Sequence, residues 1–267
     1  MSNWLLSLPV LGMGVLILAA IYAVTAAIHS SITALAVGER GRAFKAISPG
    51  VLPPLAIIFA LLVAFLASQV WNDADRASTA VNREASALRA TILLAGAFPG
   101  EPETRLRDLV RSYIQDAVTQ EWPAMARQNA TLSIAPAQLA QALALTLALE
   151  PRGNGQTIAQ HEMTSALQTA LEARRQRIIL SRSSINWVKW SALLLLAGLT
   201  LITIGMVHSD NRLANRIILG IFSTAVGIAV VLLASHSRPF TGEISVSPAA
   251  LLQVMPEAEP GAASAAP

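Results

Sequence analysis

The stretch FLASQVWNDADRASTAVNREASALRA, residues 65–90, passes from apolar sequence typical of a membrane span into charged, amphipathic sequence. No proline or glycine, the two residues that most often end a helix, occurs from Leu55 to Leu94. A helix over residues 55–96 would be roughly 63 Å long at about 1.5 Å per residue, whereas a bilayer core is only roughly 30 Å thick. The sequence therefore predicts one helix that begins in a membrane and projects into water.

Composition indicates a membrane protein as well. The chain has 267 residues, of which 54% are hydrophobic and 13% are charged, whereas soluble domains carry roughly 25% charged residues. Crossing a bilayer takes about 20 consecutive apolar residues, and four runs approach or exceed that length, at 4–28, 51–71, 185–207 and 216–234. The first run lacks the basic start of a signal peptide, so we expect it to be retained. We predict an all-α integral membrane protein with four transmembrane helices.

The segment between the second and third runs differs in character. It is rich in strong helix formers, and its apolar residues recur at helical spacing. The turn FPGEPE at 98–103 separates two of its helices, and Pro123 is expected to interrupt the second of them. We divide the chain into a first span with a short loop (1–50), a second span (51–71), a helical insert (72–184), the third and fourth spans (185–234) and a tail (235–267) whose end is expected to be disordered.

The sequence that leads into the third span shows the same lack of helix-breaking residues as the second span, but here the polar part precedes the apolar part. No proline occurs from Thr157 to Val207, and Gly198 is the first glycine in that range. This pattern predicts a second long helix that begins in water and ends in the membrane, unless an interruption occurs at the boundary without a proline or glycine to cause it. A helix that projects into water buries its apolar stripe only against a partner. We therefore expect helices two and three to continue into an antiparallel helical stalk.

Features that would indicate catalysis or cofactor binding are scarce. The chain has no cysteine, which excludes disulfides and thiolate chemistry. The sequence HEMTS at 161–165 lacks the second histidine of a zinc-protease helix, and RGNGQ lacks the lysine of a phosphate-binding loop. We expect no enzyme activity, cofactor, metal site or nucleic-acid partner. The span centres also carry no ionisable residue, which argues against a proton-coupled pump.

A pore is still compatible with apolar spans, because apolar rings can gate by shedding water. Four residues of the second span lie along one helical face and are our candidates for pore lining: Ile58, Leu62, Phe65 and Gln69. Ordinary packing against helices or lipid is the alternative role for this face.

A basic cluster precedes the third span and consists of Arg174, Arg175, Arg177 and Arg182. Contact with lipid headgroups is one expectation for these guanidinium groups, and an anion-attracting vestibule is the other.

The topology of four spans places both termini and the insert on the same side of the membrane. Four tryptophans lie at span ends on that side, as in an interfacial belt: Trp4, Trp71, Trp187 and Trp190. Arginines near the spans are more numerous on the insert side than in the opposite loops, which favours a cytoplasmic insert.

Several motifs together resemble the bestrophin-like family of bacterial membrane proteins. They are the stretch LPPLAIIFALLVAFLASQVWNDADRASTAVNREASALRA, the segment LRDLVRSYIQDAVTQEWP, the arginine-rich helix and SRPFTGEISVSP. The resemblance to this family covers about residues 50–252. The chain also resembles, more distantly, the true bestrophins, which are pentameric chloride channels with four spans. It implies a homo-oligomer, a pentamer by analogy, in the bacterial inner membrane. The chain departs from bestrophins in having fewer aromatic residues in the second span and no recognisable acidic calcium clasp.

Two functions from different classes follow from these observations. The first is an oligomeric channel permeable to inorganic anions such as chloride, with the second span around its axis. The second is a non-conducting membrane scaffold whose helical stalk binds a protein partner.

Overall fold

The computed structural model describes residues 8–133 and 136–257, apart from the side chain of Lys45, and every regular element in these ranges is helical. The α-helices are α1 (Val10–Leu35), α2 (Gly38–Lys45), α3 (Leu52–Ala95), α4 (Glu101–Asp116), α5 (Trp122–Ala126), α6 (Ala137–Ala148), α7 (Asn154–Ser181), α8 (Trp187–Val207), α9 (Arg212–Ser235) and α10 (Ala249–Gln253). A 3₁₀ turn precedes α3 at Pro49–Val51, and a π-helix joins α4 to α5 at Ala117–Glu121.

The chain divides into two compact units. Of the described residues, the first unit comprises 8–72 and 183–245, and the second unit comprises 73–133, 136–182 and 246–257. Trp4 and the end of the tail, which is predicted to be disordered, lie outside the described residues.

Helix α3 confirms the prediction of a long uninterrupted helix. It runs for 44 residues, from Leu52 to Ala95, and contributes to both units. It ends at the FPGEPE turn, where Gly100 has a φ of +97°, a left-handed conformation that glycine adopts without a steric penalty.

The prediction of a single helix from residue 157 to residue 207 is wrong. Helix α7 ends at Ser181, and α8 begins only at Trp187. The Asn186 side chain accepts a hydrogen bond from the backbone N–H of Lys189 at 3.0 Å and so caps the new helix. An asparagine cap therefore starts α8 where proline and glycine are both lacking. Of the two helices expected to cross between span and insert, only α3 does so without a break.

Within the first unit, α1, α8 and α9 pack together with the first half of α3. Their shared core includes Met13, Phe59, Leu66, Val70, Trp190, Leu193, Val230 and Leu233. The rings of Phe59 and Phe222 contact each other with centroids 5.7 Å apart. Four helices, each overlapping one of the four predicted spans, are long and apolar enough to cross a membrane.

Small and hydroxylated residues bring α1 and α9 close together. Thr25 and Ser223 share a buried hydrogen bond of 2.6 Å between their hydroxyl groups. At Gly227, an added Cβ would lie only 2.3 Å from a methyl carbon of Leu18. Small residues and interhelical hydroxyl bonds are the usual means by which apolar helices associate in lipid.

The second unit is a separate helical cluster. Helix α6 packs against both α4 and α7, and the second half of α3 supplies further buried residues. Its most deeply buried large apolar and aromatic side chains are Leu88, Leu106, Tyr113, Ile114, Met125, Leu139, Met163, Leu167 and Ile178. Pro123 lacks the N–H that would bond to a carbonyl one turn earlier, and the π-helix ends two residues before it, at Glu121. The predicted interruption is therefore present as a change of helix type.

Candidate functional site

The apolar half of α3 is the helix of the first unit that the chain covers least. Only 17% of its most apolar window is buried within the chain, against 44% of the corresponding window of α8. Of the pore candidates, Ile58 and Phe65 are exposed. Leu62 packs against the core of the first unit, and the Gln69 side-chain oxygen accepts a hydrogen bond from the Lys189 ammonium at 2.5 Å. The four candidates therefore straddle the border between the exposed face and the covered face.

The centre of the exposed face lies elsewhere on the same helix. Successive residues turn by about 100° around a helix axis, so Ile57, Leu61 and Phe65 follow one another along one side. All three are exposed, and Leu61 is 54% exposed. The face predicted from the sequence lies closer to the core, because both sides of this segment are apolar and periodicity alone does not distinguish them.

The basic cluster separates into two buried and two exposed arginines. Arg174 and Arg177 are buried and bound to carboxylates, whereas Arg175 and Arg182 are exposed. The expectation that all four guanidinium groups would face anions or headgroups is therefore wrong for Arg174 and Arg177. Their charges are taken up by acidic side chains of the same chain.

A buried ion-pair network forms around Arg177 in the second unit. The Arg177 guanidinium donates to both carboxylate oxygens of Glu84, at 2.7 and 3.0 Å, and to Glu121 at 2.9 Å. Arg174 donates to the other oxygen of Glu121 at 2.8 Å, and the Tyr113 hydroxyl donates to Glu84. The side chains of Arg177 and Glu84 are both completely buried. The network thus joins α3, α4, the π-helix and α7.

Trp122 completes the surroundings of Arg177. The indole ring lies 4.8 Å from the guanidinium carbon, which is the geometry of a cation–π contact. Its N–H donates to the backbone oxygen of Val246 at 3.2 Å. The EWP segment (121–123) therefore contacts Val246, which follows the RPF motif (238–240), within the second unit.

Burial and charge act in opposite directions on the Arg177 guanidinium. Burial on its own lowers the pKa of Arg177, but the Glu84 carboxylate and its neighbours outweigh it and raise the pKa above its ordinary value. The pKa of Tyr113 is raised by burial and further by the negative charge of Glu84. Arg177 is thus charged and Tyr113 is protonated at neutral pH.

The periodicity of α3 already places one acidic member of this network in the core. Buried residues of α3 recur at Ala77, Val81, Glu84, Leu88 and Thr91, so Glu84 occupies a core position of the helix.

On α7, Leu167, Ala170, Arg174, Arg177 and Ser181 follow the same spacing, so both arginines occupy core positions. A charged residue at a core position predicts a buried partner of opposite charge, and this signal in the sequence could have revealed the network.

A cleft opens beside the network and encloses about 300 Å³. Glu121 and Arg174 lie in its wall together with Asp116, Gln120 and Gln138. Among the described residues, no group of three or more histidine or acidic side chains is placed to hold a metal ion. The cleft therefore presents hydrogen-bonding and charged groups to a small molecule.

Comparison with known proteins gives one match. The model of the bestrophin-like domain matches residues 19–251, which is most of the chain. Comparisons with curated proteins and with solved structures gave no match. The matched range includes three of the four apolar helices in full, the first from residue 19 onward, and the whole Arg177 network. The chain therefore belongs to the bestrophin-like family and is a membrane protein of that family.

Proposed function

We propose that this protein is an oligomeric channel permeable to inorganic anions, with the exposed face of α3 lining the pore. The observation that carries the proposal is the uncovered side of α3 at Ile57, Leu61 and Phe65. Membership of the bestrophin-like family supports it, because the family resembles channels in which the second span surrounds the axis.

In a closed symmetric oligomer, the exposed face of α3 would line a central pore. Each copy would bring the same helix to the axis, and the exposed side chains would form successive apolar rings. Such rings hinder ions, because a narrow apolar tube sheds water and an ion without its hydration shell is costly there. The rings would set the resistance of the pore, and a smaller side chain would lower that resistance.

Charges outside the spans fit a preference for anions. The exposed guanidinium groups of Arg175 and Arg182 remain available after Glu84 and Glu121 have neutralised their neighbours. Basic groups concentrate anions over roughly a Debye length, about 8–10 Å at moderate salt. We propose a homo-oligomer in the bacterial inner membrane, with the insert and both termini in the cytoplasm, in keeping with the arginine distribution.

Chloride flux from liposomes tests the pore face. We compare wild type with Leu61→Ala and Phe65→Ala, and we use Leu195→Ala as the matched control. Leu195 is 68% exposed on α8, so this substitution removes the same side-chain atoms as Leu61→Ala from an exposed site on another helix. Flux should rise in the two α3 variants and stay at the wild-type level in Leu195→Ala.

Two results would count against the proposal. Equal flux in all three variants would remove α3 from the pore. No flux from any of them, in particles that are folded and whose measured mass shows an oligomer, would favour the non-conducting scaffold whose helical insert binds a protein partner.

A further inference from the structure

The cleft beside the Arg177 network has a distinct charge pattern. Three residues of the π-helix Ala117–Glu121 line it, together with Asp116 and Gln138. Single π-turns inside helices are rare and frequently occur at functional sites. The unusual helix and the cavity therefore coincide in space.

The acidic groups of the cleft are not equally neutralised. Glu121 bonds to two arginines, one through each carboxylate oxygen. Glu84 and Glu121 together balance the charges of Arg174 and Arg177. Among the described residues, Asp116 contacts no cation, and its carboxylate accepts hydrogen bonds only from the amides of Gln120 and Gln138, at 3.2 and 2.5 Å. One negative charge in the cleft thus has no positive partner within the described chain.

The two amides next to Asp116 are oriented by its charge. An ionised carboxylate only accepts hydrogen bonds, so Gln120 and Gln138 turn their NH₂ groups toward it. Their carbonyl oxygens are then left as acceptors, and no donor of the described residues contacts them. A half-buried carboxylate and two amide carbonyl groups are thus acceptors among the side chains that line the cleft.

We propose that this cleft binds a small molecule carrying a primary ammonium group, which Asp116 holds with the help of Gln120 and Gln138. A primary ammonium has one positive charge and three N–H donors, which matches one unbalanced carboxylate and two free carbonyl oxygens. A cleft of about 300 Å³ lies at the lower end of the roughly 300–1,000 Å³ that is typical of small-molecule sites, so the ligand is a small amine. This site is independent of the proposed pore.

Calorimetric titration of the full chain in an uncharged detergent tests the proposal. The probe is ethanolamine at pH 7, and ethylene glycol is its neutral analogue of the same size. Ethanolamine should give saturable binding with one site per chain, and ethylene glycol should give none. Equal binding of the two compounds, saturation of the same site by potassium ions, or no saturable heat with ethanolamine would overturn the proposal.

Two variants locate the binding site. Asp116→Asn removes the charge with little change of shape and should weaken ethanolamine binding on the order of 10- to 100-fold, the usual range for a hydrogen bond to a charged group. Asp108→Asn removes the same charge from an exposed site on the same helix and should change affinity less than about twofold, because exposed charges are screened. An equal loss in both variants would contradict a local contact at Asp116.

A third variant keeps the test decisive if Asp116→Asn does not fold. Ala124 lines the cleft without belonging to the charged set, and Ala124→Phe would fill part of the cavity. Ethanolamine binding should be lost in this variant while the circular dichroism spectrum and particle mass stay those of wild type. Unchanged affinity in a folded Ala124→Phe protein would refute binding in the cleft.

Discussion

Replacing Arg177 with methionine should destabilise the protein strongly. The Arg177 and Glu84 side chains are completely buried, so the substitution leaves a carboxylate in the core with no cation beside it. Removing one partner of a buried ion pair typically costs about 3–5 kcal/mol. Methionine is long and apolar and fills much of the space, so the loss of stability reports mainly the unpaired charge and the lost contact with Trp122.

The effect is large enough to measure as a shift in the melting midpoint. At roughly 2–4 °C per kcal/mol for a chain of about this size, the midpoint should fall by roughly 6–20 °C. We would follow helix content by circular dichroism and, separately, tryptophan fluorescence, because Trp122 lies next to the guanidinium. The shift should be nearly the same at low and moderate salt, since solvent ions do not screen a fully buried pair.

Two further variants separate charge from packing. Arg175→Met changes an exposed neighbour on the same helix and should alter stability by about 0.5 kcal/mol or less. Adding Glu84→Gln to Arg177→Met should restore part of the loss, because the buried charge is gone and the amide oxygen still accepts from Tyr113. The reasoning is refuted if Arg175→Met and Arg177→Met melt together, or if the double variant is less stable than Arg177→Met alone.

Four more predictions concern other parts of the chain. Ala80→Pro should cost about 3 kcal/mol or more in a thermal melt, because Ala80 is buried inside α3, and an unchanged melt would argue against the continuous helix. Asn186→Ala should cost about 1 kcal/mol through loss of the α8 cap, whereas Asn186→Asp should retain most of the stability. Because the pKa of Tyr113 is raised in the folded protein, the stability that its protonated hydroxyl contributes is fully present below pH of about 10. Above that pH the free energy of unfolding should fall by up to about 1.4 kcal/mol per pH unit. Tyr113→Phe should lack this slope in melts between pH of about 9 and 11. Gly153→Cys should resist a membrane-impermeant thiol reagent in intact cells and react after lysis, and labelling in intact cells would overturn the cytoplasmic placement of the insert.

The helical class and the four apolar helices followed from local properties of the sequence. Apolar runs of membrane length and the 3.6-residue period depend on neighbouring residues only, so they are visible in one dimension. The continuity of α3 was predictable for the same reason, since nothing from Leu55 to Leu94 breaks a helix. The family also followed from contiguous motifs and is confirmed by the match over residues 19–251.

The interruption before α8 is also encoded locally, but by residues other than proline and glycine. Asn186 ends the run SRSSIN, and serine and asparagine favour helix caps by bonding to free backbone N–H groups. An expectation based only on proline and glycine therefore overestimated the length of this helix.

Tertiary structure decided which arginines are available and which side of α3 is uncovered. Glu84 and Arg177 are separated by 93 positions in sequence, so their pairing depends on how distant helices meet. The same holds for the cleft, whose wall combines side chains from α4, the π-helix, α6 and α7. Short-range periodicity shows that a residue belongs to a core face, but only packing between distant segments determines which residue lies opposite and whether a charge is neutralised.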